Sequence, residues 1–360
     1  MARRARDVHA VPEKPEESDP AWTLERLLEA PTIASKRWIT RQYDSTVRTS
    51  TVMGPGDGDA AVIRVRGTTK AIAVKTDCNG RYVFLDPRVG GRIAVAEAAR
   101  NVACVGARPM AITNCLNFGN PKKPEVFFQF REAVYGMGDA CRALGTPVTG
   151  GNVSLYNENP QGAIYPTPVI GMVGLIDDVR HITRSSFASP GLDIVLLGDN
   201  TGELGGSEYL SWIHGVVAGA PPACSLEGEK ALIDALLEGI GASHVASAHD
   251  CSEGGLAVAL AECCIGNEDH PTGAQVDLSP WAALPLRALL FGEAQGRVVV
   301  STTNAEAVLA IAARHGVPAR VIGTVQSASA GFTITVGPRV LRATTDRLST
   351  AFHTALPRAM

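Results

Sequence analysis

The 360-residue sequence contains no long apolar run, no paired cysteine motif and little net charge. Because no segment is apolar enough to cross a membrane and the N-terminus lacks the apolar centre of a signal peptide, neither a membrane protein nor a secreted protein is predicted. The eight cysteines are scattered without a C-x-x-C pair, which favours reduced thiols in a cytoplasmic protein over zinc or disulfides. A net charge of −3 without a dense basic stripe argues against a nucleic-acid partner.

The composition instead indicates a globular protein of about two domains. Hydrophobic residues make up 45% of the chain and charged residues 19%, so each domain can bury a core. Residues 1–45 are predicted as a partly disordered leader containing one short helix, "AWTLERLLEA". A stretch of polar and small residues separates the two predicted domains, 46–180 and 185–345, and residues 346–360 are predicted as a tail.

Hydrophobic periodicity predicts the order of the elements. Segments 59–67 and 70–77 alternate apolar and polar residues and predict a strand hairpin. Segment 126–144 has apolar residues at three- and four-residue steps, which predicts a helix ended by Gly145. Strands and helices interleave through the rest of the chain. The predicted class is α+β (mixed α/β), with an N-terminal antiparallel-sheet domain carrying helices and a C-terminal α/β domain.

The stretch "TPVTGGNVSLYN", residues 146–157, places two glycines beside an amide and a hydroxyl. Gly151 and the glycine before it let backbone amides approach a phosphate. Asn152 offers a carbonyl oxygen to a hard metal ion, and Ser154 offers a hydroxyl to an anionic substrate. No G-K-[ST] follows, so this is not a P-loop. On the local pattern alone, a β-turn is the simpler interpretation, and a loop-capping role is the simpler one for Asn114 in "ITNCLNFGNPKKPE".

Polar side chains also follow two other predicted strands. Lys75 and Asp77 lie two residues apart, hence on one strand face, where they suit phosphate and Mg²⁺ or form a silent surface ion pair. His249 precedes Asp250 at another strand end, and a hydrogen-bonded structural histidine is favoured there over a catalytic base. A nucleophilic Cys251 beside it is disfavoured, because adjacent residues on a strand point to opposite faces.

A third polar group lies in "LLFGEAQGRVVVS", just before a core strand. Glu293, Gln295 and Arg297 are predicted to form an internal ion pair that fixes this loop.

The order of the motifs is more specific than any one of them. "ASKRWITRQYD", "KTDCNGRYVFLDPRVGG", "CLNFGNPKKPE", "GGNVSLYNE" and "HDCSEGGLAVALAE" occur in series. This series resembles the synthetase chain of the phosphoribosylformylglycinamidine synthase family in its separate-subunit form, within the aminoimidazole-ribonucleotide-synthetase-like superfamily. That chain is an internal duplication, and the present sequence resembles only its second half. The first-half histidine motif, S-E-H-C-S-Y, is absent, and in "KTDCN" Asn79 stands where the first half has a histidine.

The resemblance implies a set of ligand contacts at a site shared between the two halves. By this resemblance Asn114 and Gly151 contact ATP, Asn152 is a Mg²⁺ ligand and Ser154 contacts the substrate, whereas no catalytic residue is carried over. Many relatives have aspartate where Asn114 stands, so a hydrogen bond to the nucleotide is implied without the charge.

The implied reaction is the ATP-dependent amidation of formylglycinamide ribonucleotide to formylglycinamidine ribonucleotide, with Mg²⁺ and glutamine-derived ammonia, in de novo purine biosynthesis. The implied partners are a glutaminase subunit, a small adaptor subunit and a first-half synthetase chain.

Three hypotheses about the chain remain open at this point. It is a ligase component that needs a first-half partner, an independent homodimeric ATP-using enzyme of the superfamily, or a non-catalytic fragment. Self-association is also expected, because the family pairs the strands equivalent to residues 59–76 across its two halves, and one half alone leaves them open.

Overall fold

The computed structural model describes residues 19–360, so the first 18 residues of the predicted leader lie outside the described residues. Within this range the chain forms two sheets flanked by helices, together with one small hairpin. The helices are α1 (Pro20–Leu28), α2 (Arg37–Thr40), α3 (Gly80–Leu85), α4 (Pro87–Cys104), α5 (Pro124–Leu144), α6 (Leu226–Gly241), α7 (Gly255–Ile265), α8 (Leu286–Phe291), α9 (Ala305–Arg314) and α10 (Thr345–Ala359).

The first sheet has six strands in the order β1-β2-β3-β8-β4-β5. All neighbouring strands are antiparallel except β4 and β5, which run parallel. The strands, with the β6–β7 hairpin, are β1 (Thr51–Met53), β2 (Ala61–Arg64), β3 (Ala71–Asp77), β4 (Arg108–Asn117), β5 (Val148–Ser154), β6 (Glu158–Asn159), β7 (Gly162–Ala163) and β8 (Thr167–Ile176). The predicted hairpin of residues 59–77 is confirmed as the β2–β3 pair.

The second sheet has seven strands in the order β10-β12-β9-β13-β11-β14-β15. They are β9 (Asp193–Leu197), β10 (Ser247–Asp250), β11 (Thr272–Asp277), β12 (Val298–Thr302), β13 (Ala319–Ser327), β14 (Phe332–Val336) and β15 (Arg339–Ala343). Only β11 and β14 are parallel neighbours. The mixed α+β class predicted from the sequence is confirmed.

Helices α4 and α5 cover one face of the first sheet, and small residues let them pack closely. A Cβ on Gly91 would lie 2.5 Å from the carbonyl oxygen of Ala133, so the two helix backbones are nearly in contact there. Helix α5 begins with Pro124 and ends at Gly145, whose φ of 68° supplies the left-handed residue that stops a helix.

The opposite face of the first sheet is apolar and open to solvent. Ile63 pairs with Ile72, and Val74 pairs with Val173, and these four side chains are between 37% and 44% exposed. We call these four residues the open sheet face. It contrasts with the helix-covered face, where Val62, Ala71 and Ala73 alternate with them along β2 and β3 and are fully buried.

Two local predictions differ from the structure. Residues 346–360, predicted as a tail, form helix α10, which buries Leu348 and Ala351 in the second core. The "GGNVS" stretch, for which a turn was the simpler interpretation, continues as strand β5, because pairing with β4 provides the hydrogen bonds that local sequence does not. Within residues 19–360 no helix meets the length and apolarity needed for a membrane span.

Candidate functional site

The four site residues predicted from the sequence lie on two neighbouring strands. In the parallel pair of β4 and β5, Asn114 is opposite Gly151, and Asn117 is opposite Ser154. Strand β5 is the last strand of its sheet, and its residues are exposed apart from the half-buried Ser154. The structure therefore brings Asn114, Gly151, Asn152 and Ser154 together at an open strand edge.

Strand alternation divides these residues between the two faces of the sheet. Ile112 and Leu116, two residues to either side of Asn114, are 1% and 5% exposed and belong to the helix-covered face. Asn114 lies on that face, whereas Asn152 and Ser154 share the opposite one. The Cα atoms of those two residues are about 7 Å apart along the strand. A ligand that meets all of these residues must therefore wrap over the edge of β5.

Gly151 is required by its contact with the neighbouring strand. Its φ is 156°, a value that side-chain-bearing residues rarely adopt. A Cβ there would overlap the Asn114 side chain and lie 2.5 Å from its carbonyl oxygen. By contrast, the nearest atom to a Cβ on Gly150 is the Thr113 hydroxyl at 3.9 Å. The space beside Gly151 is thus filled by Asn114. The sequence analysis explained this glycine only by the approach of a nucleotide.

The polar side chains at this edge are not used to hold the fold. Within residues 19–360, the side chains of Asn114, Asn152 and Ser154 make no hydrogen bond or ion pair. Asn152 has the oxygen donor that Mg²⁺ accepts, but among the described residues no group of three or more His, Cys, Asp or Glu could hold a metal ion. The described residues therefore fit a Mg²⁺ ion for which Asn152 is one ligand. Phosphate, water or another chain would supply the remaining ligands.

A short hydrogen-bonded segment fixes the ends of β4 and β5. The side-chain amide of Asn157 donates to the carbonyls of Ser154, at 2.8 Å, and Phe118, at 3.1 Å. The backbone N–H of Tyr156 donates to the carbonyl of Gly119 at 3.0 Å. These hydrogen bonds hold Ser154 in place, and the sequence analysis gave Tyr156 and Asn157 no role, although both lie inside the quoted glycine motif.

Lys75 lines a cavity of about 320 Å³ between the two sheets. Asp77 and Asn114 both pair with Ile170 of β8, so they lie on the same face of the first sheet. Lys75 and Asp77 share one face of β3, as predicted, but they are not a surface ion pair. Asp77 accepts a hydrogen bond from Asn101 at 3.0 Å, and burial raises the pKa of Asp77 to about 7. Burial alone would lower the pKa of Lys75, but Asp77 and Asp59 raise it on balance. Asn79, which replaces the first-half histidine, caps helix α3 and donates to Glu253 at 3.3 Å.

His249 is a structural histidine, as predicted. One ring nitrogen contacts Asp59 at 2.6 Å and the other contacts Glu262 at 3.1 Å, so neither is available as a base. Burial would lower the pKa of His249, but these two carboxylates raise it well above its ordinary value. Burial also raises the pKa of Cys251 to about 11, which makes a nucleophilic thiolate unfavourable there.

The predicted ion pair within "GEAQGR" is wrong. Glu293 instead accepts hydrogen bonds from the Tyr82 hydroxyl and from the N–H groups of Glu208 and Gly254, each of the latter at 2.7 Å. Arg297 donates to Asn200 and to the carbonyls of Gly292 and Ala294. The two side chains therefore fix the loop separately, each through its own set of partners.

Arg100 connects the two domains, and the sequence analysis missed it. This fully buried side chain of α4 pairs with Asp250 of β10, with Glu229 of α6 at 2.5 Å, and with Gln295 at 3.1 Å. Arg100 is one of three arginines in α4 and the one that lies within its alanine-rich part, but its partners are 129 to 195 residues away in the sequence.

The chain belongs to the AIR synthase related proteins. Residues 57–176 match the family described as AIR synthase related protein, N-terminal domain, and residues 189–335 match its C-terminal domain. Within that class it is similar to phosphoribosylformylglycinamidine synthase subunit PurL. It is 54% identical over 342 residues to PurL of Chlorobium luteolum, covering 93% of this chain and 45% of the relative. It is 55% identical over 322 residues to PurL of Moorella thermoacetica, covering 89% and 43%.

The chain thus spans less than half the length of these curated relatives. Solved structures with the same fold include T. maritima PurL complexed with FGAR, with a TM-score of 0.74 and 20% identity, covering 91% of this chain and 53% of that one. Another is the protein tt0281 from Thermus thermophilus, with a TM-score of 0.56 and 23% identity, covering 76% and 88%. These similarities show the fold, whereas the ligand roles of the β5 edge stay predictions.

Proposed function

We propose that this chain is the second-half lobe of a PurL-type synthetase. With a first-half lobe it catalyses the ATP-dependent amidation of formylglycinamide ribonucleotide to formylglycinamidine ribonucleotide in de novo purine biosynthesis, in the cytoplasm. The observation that carries the proposal is the paired strands β4 and β5 at the edge of the sheet, where the side chains of Asn114, Asn152 and Ser154 have no partner among residues 19–360. The 54% identity to a curated PurL supports the choice of reaction.

The proposed chemistry is activation of an amide. The amide oxygen of the ribonucleotide attacks the γ-phosphorus of ATP, and ADP leaves. Ammonia then attacks the amide carbon and displaces the phosphorylated oxygen as phosphate, which gives the amidine. Asn114 and the backbone at Gly151 hold the nucleotide, and Ser154 donates its hydroxyl to the ribonucleotide. Mg²⁺ supplies neutralisation of the phosphate charge, and Asn152 is its ligand from this chain.

The proposal includes partners because the described lobe lacks a catalytic base at its exposed edge. Both ring nitrogens of His249 are hydrogen-bonded to carboxylates, and Asn79 cannot take up a proton near neutrality. The first-half lobe is the proposed source of the base, and it would cover the open sheet face, burying Ile63, Ile72, Val74 and Val173. A glutaminase subunit and a small adaptor subunit are the proposed source of ammonia, in keeping with a T. maritima structure of PurLQS.

Mixing the chain with a purified first-half lobe tests the proposal. Ammonia-dependent formation of the amidine and ADP is expected only in the mixture, with the chain alone inactive. Light scattering is expected to show that the chain alone self-associates and that the first-half lobe replaces this contact. Asn152→Ala is expected to weaken Mg²⁺–nucleotide binding in the mixture more than Lys75→Ala does.

The other possible results of these experiments would favour a different function or a different site. Turnover by the chain alone would favour an independent homodimeric enzyme, and absence of nucleotide binding in the mixture would favour a non-catalytic fragment. The opposite ranking of Asn152→Ala and Lys75→Ala would move the nucleotide to the cavity lined by Lys75. A monomer at moderate concentration would contradict the role given to the open sheet face.

A further inference from the structure

Tyr156 lies two residues beyond Ser154 and has an unusual backbone conformation. Its φ is 61°, in the left-handed region that glycine, asparagine and aspartate adopt more readily than a bulky side chain. Four hydrogen bonds surround it: its own N–H to Gly119, its carbonyl from Glu158, and the two that the Asn157 amide donates. The structure therefore fixes an unfavourable conformation, as binding sites often do.

The side chain of Tyr156 has no role in the fold that would explain this. It is 55% exposed. Among residues 19–360 no aromatic pair or cation–π contact includes its ring, and its hydroxyl makes no hydrogen bond. Other exposed tyrosines differ in this respect, since Tyr165 packs edge-on against Phe84 and Tyr135 lies under the Arg88 guanidinium.

We propose that Tyr156 contacts the ribonucleotide substrate, with its ring packed against the ribose and amide beyond Ser154. This inference rests on the proposed function. Along β5 the nucleotide contact at Gly151 comes first, the metal ligand Asn152 second and the substrate contact Ser154 third. Strand β5 ends at Ser154, and Tyr156 lies on the turn directly after it, on the far side of Ser154 from Gly151. An aromatic ring with an apolar face and a polar hydroxyl suits the mixed surface of a sugar and an amide.

Three substitutions separate the ring from the backbone. Tyr156→Ala and Tyr156→Gly both remove the ring, but only glycine accepts the left-handed conformation without strain. In the assembled two-lobe enzyme, both are expected to raise the KM for the ribonucleotide about tenfold, the size of a lost aromatic contact, while the KM for ATP stays within about twofold. Tyr156→Phe, which keeps the ring, is expected to restore the KM for the ribonucleotide to within about threefold.

A stability measurement on the same variants tests the left-handed backbone conformation of residue 156. The Tm of Tyr156→Gly is expected to lie about 2 °C above that of Tyr156→Ala, because the left-handed conformation costs alanine more than glycine loses through its greater freedom in the unfolded chain. Tyr135→Ala is the matched control, since this tyrosine is 52% exposed on the outer face of α5, and it is expected to leave both KM values unchanged.

Several outcomes would overturn the proposal. One is a ribonucleotide KM that recovers in Tyr156→Gly but not in Tyr156→Ala, which would assign the residue to the turn alone. Another is an equal rise in both KM values, or weaker association of the two lobes, which would place the ring against the nucleotide or the partner lobe. An unchanged ribonucleotide KM in Tyr156→Ala and Tyr156→Gly would also overturn the proposal, and Ser154→Ala then shows whether the proposed function fails with it. If Ser154→Ala raises the ribonucleotide KM, only the role of Tyr156 is wrong; if it leaves that KM unchanged, the proposed substrate site is wrong.

Discussion

Replacing Gly151 by alanine tests the central contact of the proposed site. The added Cβ would lie 2.5 Å from the Asn114 carbonyl oxygen, which belongs to the backbone of a paired strand and cannot rotate away. Overpacking of this kind costs about 1–3 kcal/mol, and the φ of 156° adds a penalty for any residue with a side chain. Because β5 is an exposed edge strand, part of this cost is relieved by local detachment of the strand.

We therefore expect Gly151→Ala to lower the free energy of unfolding by about 2 kcal/mol, which corresponds to a fall in Tm of roughly 4 °C. In the two-lobe enzyme it should weaken ATP binding at least about tenfold, because the Asn114 side chain is displaced. Urea unfolding and nucleotide titration measure the two effects. Hydrogen exchange should also show faster exchange along β5.

Gly150→Ala is the matched control for this substitution. It changes the neighbouring glycine on the same strand, but its Cβ would have 3.9 Å to the nearest atom. We expect a change in stability within about 0.5 kcal/mol and a clearly smaller loss of ATP binding than Gly151→Ala causes, because the Asn114 side chain stays in place. If the two alanine substitutions behave alike in both assays, the contact between Gly151 and Asn114 does not hold the site, and the reasoning from it fails.

Two further predictions concern the buried ionisable groups. Burial raises the pKa of Glu293 from 4.5 to about 7, so its contribution to stability is fully present below about pH 4.5 and is lost as the pH rises through 7. Glu293→Gln keeps an acceptor for the Glu208 and Gly254 amides and should flatten the urea-unfolding profile between about pH 5 and 8; an unchanged slope would contradict this. His249→Ala leaves Asp59 and Glu262 without their shared cation and should cost about 3 kcal/mol at neutral pH. A loss below about 1 kcal/mol in urea unfolding would mean that these carboxylates have other compensation.

Local sequence predicted the elements whose causes are local. The β2–β3 hairpin follows from strict alternation, and the end of α5 follows from Gly145. Helix α10 had such a signal too, since Thr344 caps it and Leu348 and Ala351 recur on one face, but the sequence analysis predicted a tail there.

Where the cause is a distant partner, the local pattern was insufficient. "GGNVS" is typical of a turn until β4 supplies its hydrogen bonds, and no residue near Arg100 in the sequence indicates that it pairs with Asp250. For the same reason, the grouping of Asn114 with Gly151 came from a family resemblance and not from spacing. The pairing of two strands separated by a 21-residue helix leaves no local periodicity to detect.

The buried position of Arg100 has a consequence for how a ligand enters. Swinging the two domains apart about a hinge would strip this guanidinium of both carboxylates while they were still shielded from water, which is strongly unfavourable. The pair of domains should then behave as one rigid piece, unlike enzymes that close around their substrate by domain rotation. Conformational change during turnover would then be confined to β5, the last strand of the six-stranded sheet. This strand is exposed and can shift without disturbing either hydrophobic core.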